Sequence, residues 1–99
     1  MVKHIVMFKL KDSLSEKEKQ EIAGNFKSAI EALPEKIDFI RYIHVGININ
    51  TSEKWDICLE STFDTLDDVK AYSVHPAHVA AAGIIKEAKE DRACVDFEQ

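Results

Sequence analysis

The sequence predicts an α+β fold built on the ferredoxin-like split βαβ plan, with a four-stranded antiparallel sheet and helices on one face. Three observations predict it. Apolar residues alternate or cluster over short stretches at both ends and in the middle of the chain. Two intervening stretches carry apolar residues at helical spacing. The resulting order is strand, helix, strand, strand, broken helix, strand, and right-handed crossovers fold that order in this way.

The first strand is Val2 to Leu10, a short run rich in Val and Ile. Val2, His4, Val6, Phe8 and Leu10 share one face, and Lys3, Ile5, Met7 and Lys9 share the other. Both faces are apolar at the strand centre, so both require cover. Ser15 opens a helix, because Ser15 and Glu18 match a capping box in which hydroxyl and carboxylate satisfy each other's backbone N–H. Ile22, Phe26, Ala29, Ile30 and Leu33 form its apolar stripe, and Pro34 stops it near Leu33. Ile37 to Ile49 reads as a long second strand, with Ile37, Phe39, Ile43, Val45, Ile47 and Ile49 on one face and Gly46 marking either a bulge or a close approach. Asn50 to Glu53 reads as a hairpin connection, and Lys54 to Phe63 as the third strand.

Thr65 and Asp68 form a second candidate capping box ahead of Leu66, Val69, Ala71 and Tyr72. Proline is tolerated in a helix's first turn, where its missing N–H has no partner. His75-Pro76 therefore reads as a break, with a new helix starting near Pro76 and a stripe of Val79, Ala82, Ile85 and Ala88. Gly83 is its weak point, costing about 1 kcal/mol relative to alanine. Asp91 starts a last strand that runs through Ala93 to Phe97. Residues 1–99 thus read as a single domain. Helices cover one sheet face; the apolar residues of strands one and two on the other face call for a second copy packed sheet to sheet.

Composition narrows the function classes. Hydrophobic residues make up 45% and charged residues 31% of the 99, an ordinary globular mix. Lys plus Arg is 13 against 18 Asp plus Glu, a net charge of −5. That balance argues against a nucleic-acid partner and against docking on an anionic membrane. No apolar run approaches the length of a spanning helix, and the N-terminus is a poor signal peptide. A cytoplasmic location is expected, with Cys58 and Cys94 as buried free thiols. With 3 Gly there is no phosphate loop, and neither the 4 His nor the cysteines show metal-ligand spacing. No cofactor is implied.

The chemistry-bearing candidates are Tyr72, His78 and His4. Two imidazoles and a phenol near one helix junction can act in proton transfer, and can equally be ordinary core and turn residues. A helix N-terminus disfavours imidazolium, which favours a neutral, basic His78. His75 reads as a junction residue. An apolar pocket lined by Phe8, Phe26, Ile30, Val69 and Val79 would sit between sheet and helices.

The stretches Val2-Lys3-His4-Ile5-Val6-Met7-Phe8-Lys9-Leu10-Lys11, Phe63-Asp64-Thr65-Leu66 through Ala71-Tyr72, His75-Pro76-Ala77-His78 and Asp91-Arg92 to Phe97 together resemble the stress-responsive A/B barrel (Dabb) family over essentially the whole chain. The resemblance implies a ferredoxin-like subunit and a dimeric α+β barrel. One branch of the family, a plant polyketide cyclase, closes a linear polyketide by intramolecular aldol condensation. Tyr72 and His78 match its catalytic pair and His4 its first-strand histidine. Its third-strand pocket histidine is matched here by Asp56, a departure that changes the pocket's charge and implies a different substrate. The expected function is a homodimeric stress-responsive barrel that binds a small apolar or carbonyl-containing molecule. The alternative is a cofactor-free cyclase-like or lyase-like enzyme with His78 as general base and Tyr72 as hydrogen-bond donor. A monooxygenase follows only from fold analogy.

Overall fold

A computed structural model describes residues 1–99. The elements are β1 (Val2–Leu10), α1 (Glu16–Glu31), β2 (Tyr42–Ile47), β3 (Ile57–Phe63), α2 (Leu66–Val74), α3 (Pro76–Lys86) and β4 (Lys89–Glu98). The four strands form one antiparallel sheet in the order β2-β3-β1-β4. This is the ferredoxin-like arrangement, with three helices on one face. No helix is long and apolar enough to cross a membrane.

β1 is a central strand, and its side chains alternate strictly between buried and half-buried. Val2, His4, Val6, Phe8 and Leu10 point toward the helices, opposite Ile57, Leu59, Ser61 and Phe63 of β3. The core that results holds 19 buried hydrophobic residues, with Phe26 and Ile30 of α1, Val69 and Tyr72 of α2, and Ala81 and Ile85 of α3 closing it from above. The Ser15 capping box forms in both directions. At Thr65 only half of the expected box is present: its hydroxyl accepts from the Asp68 amide, and no reciprocal bond is made.

Several boundaries differ from the sequence reading. α1 ends at Glu31, and Pro34 sits inside a short 3-10 turn, Leu33–Glu35. The second strand is shorter than expected because Ile37 and Ile40 are buried from an irregular segment, not from a pleated one. Ile49 projects into solvent beyond its end. β3 starts at Ile57, three residues late. Gly46 marks no bulge, since its register with Cys58 is unbroken; the shift occurs in β1–β4 at Lys9/Leu10. Cys58 and Cys94 are both exposed, because Cys58 faces away from the helices and Cys94 lies on an edge strand.

β2 is the other edge strand, and Glu31 anchors it. The Glu31 carboxylate accepts from the Val45 amide at 3.0 Å and from Lys27 Nζ at 2.7 Å. Lys27, then the Val45 amide, hold this carboxyl below its usual range. The sheet's second face lies open. Ile5 and Met7 of β1 are half-buried there, and Val95 (53% exposed) and Phe97 (47%) of β4 flank them. The open apolar face is thus centred on strands one and four, not one and two, because β4 pairs with β1 while β2 lies at the far edge.

Candidate functional site

The site is organised by the break between α2 and α3. The residue before a proline is biased toward extended backbone, and His75 adopts φ −63° and ψ 133°. His75 closes α2, its amide donating to the Tyr72 carbonyl, and it caps α3, its Nδ1 accepting from the Ala77 amide at 3.1 Å. In a continuous helix the Ala77 amide would instead bond the Ser73 carbonyl. Diverting it leaves that carbonyl without its helical donor. The His78 ring takes the vacancy, with Nδ1 at 3.1 Å from the Ser73 oxygen. A carbonyl only accepts, so Nδ1 carries the proton and Nε2 is the ring's free lone pair. Burial lowers the His78 pKa, and the bond to Ser73 offsets this only in part. The neutral ring expected from sequence is the form this environment favours.

Tyr72, fully buried on α2, packs in tilted contact against His78, with ring centroids 4.3 Å apart, and against Phe63 at 5.1 Å. Its hydroxyl has no hydrogen-bond partner in the fold, and burial pushes its pKa well above the usual phenol value. His4 stands 6.2 Å from the Tyr72 ring in an edge-on arrangement. Its Nδ1 lies 2.5 Å from Asp96 Oδ1, directly opposite on β4. The carboxylate receives the Nδ1 proton and orients the ring.

These three side chains line one cavity of about 210 Å³ between the sheet and the helices. Phe8, Phe26 and Ile30 line it too, as expected. Three other expected lining residues do not. Val79 is 57% exposed, because the cavity face of α3 runs through His78, Ala82 and Ile85 and leaves Val79 turned outward. Val69 is buried in the core away from the cavity. Asp56 lies just before β3, where its carboxylate accepts from the Leu10 amide at 2.7 Å and its own amide donates to Phe8. It fastens the end of β1 and does not reach the cavity, so its charge does not act there as the sequence reading supposed.

Sequence reasoning missed Asp96, Lys89 and Arg92. The last two line the cavity beside His78. The signal was present in the alternation of β4: with Ala93, Val95 and Phe97 on one face, Arg92, Cys94 and Asp96 must share the face of His4. The same pairing brings the donor atoms of His4, Cys94 and Asp96 within 4.8 Å of one another, a set able to hold a divalent ion. No sequence spacing could reveal a trio assembled across two strands.

Fold and cavity define a class: a small ferredoxin-like subunit with one closed helical face, one open sheet face and a polar-tipped apolar cavity. The Stress responsive A/B Barrel Domain model matches residues 2–99, and the chain belongs to that family. A dimeric protein of unknown function and ferredoxin-like fold from Bacteroides fragilis is 58% identical, with a TM-score of 0.97 over 99% of this chain and 95% of that one. A Streptomyces coelicolor protein, described as uncharacterized, is 33% identical over 88 residues, 88% of this chain and 89% of its own length. Olivetolic acid cyclase from Cannabis sativa is 25% identical over 99 residues, 97% of this chain and 94% of the cyclase.

Proposed function

We propose that this protein is a homodimeric barrel subunit whose cavity binds a small carbonyl compound, the apolar body against Phe8, Phe26 and Ile30 and the carbonyl oxygen on the Tyr72 hydroxyl. The observation that carries this reading is the stranded Tyr72 O–H. A buried hydroxyl without a partner costs about 1–3 kcal/mol, and a ligand acceptor entering the cavity that Tyr72 lines would recover that cost. Pairing of two copies through the open face is supported by the exposed Val95 and Phe97 and by the dimeric description of the 58% identical relative. The test is an amide-resolved NMR titration with 2-hexanone. Shifts are expected at Tyr72, Ser73 and His78; shifts elsewhere only, or none, would sink the reading.

A second reading has its own support. A neutral His78 with Nε2 free can accept a proton from the carbon next to the bound carbonyl, while Tyr72 donates a hydrogen bond to the developing enolate oxygen. His4, oriented by Asp96, would position the substrate. The Cannabis relative is named a cyclase, which favours an enzymatic reading over a purely binding one. Screening carbonyl compounds on wild type and His78→Ala separates the two readings. Turnover lost in the variant supports catalysis, and equal binding without turnover supports a binding module.

A further inference from the structure

The chain carries an excess of acidic residues, yet the cavity lining contains no carboxylate; its charged residues are Lys89 and Arg92. Five other cations, Lys3, Lys9, Lys27, Arg41 and Lys54, are held in ion pairs with Asp or Glu, while Lys11, Lys17, Lys19, Lys36, Lys70 and Lys86 are in no ion pair and lie outside the cavity lining. Lys89 and Arg92 appear in none of the ion pairs of the fold. Both sit on β4, opposite Leu10 and Phe8, so they flank the apolar end of the cavity lining. Asp96, the nearest carboxylate on the same face of β4, is engaged with His4. Arg92 is the permanent cation among the neighbours of His78, and it lowers the imidazole pKa in addition to burial. Lys89 and Arg92 are thus the fixed charges of the lining in a net-acidic protein. Two cations left unpaired beside one concave apolar surface attract and orient an anion.

We propose that the ligand of this cavity is an anionic carbonyl compound, a keto acid whose carboxylate is held by Lys89 and Arg92 while its ketone faces Tyr72 and His78. This rests on the carbonyl-binding reading above and adds the charged group. The two ends of such a ligand meet different walls: the carboxylate meets β4 and the ketone meets the α2–α3 junction.

The experiment compares 4-oxohexanoate, a keto acid that does not readily decarboxylate, with its methyl ester. Affinities are measured by calorimetry on wild type and on the Lys89→Gln/Arg92→Gln variant. The acid is expected to bind wild type about tenfold more tightly than the ester, a ratio equivalent to about 1.4 kcal/mol. That preference should fade with added salt and vanish in the variant. Thermal unfolding of the variant at the wild-type temperature shows that the fold is intact. Equal binding of acid and ester to wild type, or a preference that survives in the variant, would overturn the anionic assignment and leave the carbonyl reading standing. Failure of wild type to bind either compound would count against both.

Discussion

Tyr72→Phe isolates the one buried side-chain oxygen that the fold leaves without a partner. Phenylalanine keeps the ring, so the contacts to Phe63 at 5.1 Å, His78 at 4.3 Å and His4 at 6.2 Å survive. What disappears is a hydroxyl whose desolvation is not repaid in the ligand-free protein, a cost of about 1–3 kcal/mol. The ligand-free variant should therefore be as stable as wild type or up to ~1 kcal/mol more stable, a rise of up to about 4–8 °C in Tm for a domain near this size. Ligand binding should move the other way. Losing the hydrogen bond to the carbonyl should weaken 2-hexanone binding about three- to tenfold. Denaturant unfolding reads the first effect and calorimetry the second. A variant destabilised by ~1 kcal/mol or more without ligand would mean that the hydroxyl already has a partner. Unchanged affinity would mean that no carbonyl reaches it.

The His78 pKa is depressed in the fold, so the unfolded chain takes up that proton first as pH falls. Its contribution to stability is complete above about pH 6.5 and declines as pH drops below that value. Urea unfolding across this range should show a shallower acid slope for His78→Gln than for wild type. Gly83 lies exposed in α3 with nothing within 4 Å of an added Cβ, so Gly83→Ala should stabilise by about 0.5–1 kcal/mol, measured by the urea midpoint. Val95→Glu places a charge on the open sheet face, and sedimentation should show a monomer for the variant and a dimer for wild type. A monomeric wild type at micromolar concentration would remove the case for a paired barrel.

How far the sequence could be read depended on which force shaped each segment. β1 was legible because it is central and its inner face is uniformly buried, so its alternation survives intact. β2 was overextended because burial alone does not distinguish a strand: Ile37 and Ile40 are enclosed by the turn after α1, while the equally apolar Ile49 is 95% exposed. The junction residues Tyr72, His75 and His78 were found because Pro76 imposes its break locally. Val79 was misplaced because a short helix can be rotated one position by its tertiary neighbours without any change in composition. Lys89, Arg92 and Asp96 went unseen because their roles arise from the pairing of the first and last strands, a long-range fact.

The interruption between α2 and α3 has a chemical consequence. Merging the two segments into one uninterrupted helix would gain regularity, and the Ala77 amide would return to the Ser73 oxygen. The imidazole of residue 78 would then lose the acceptor that dictates which of its nitrogens is protonated, and the mobile hydrogen could settle on either side of the ring. Greater helical order would come at the expense of a defined tautomer. The defect in the secondary structure is thus what keeps the ring's proton on one nitrogen.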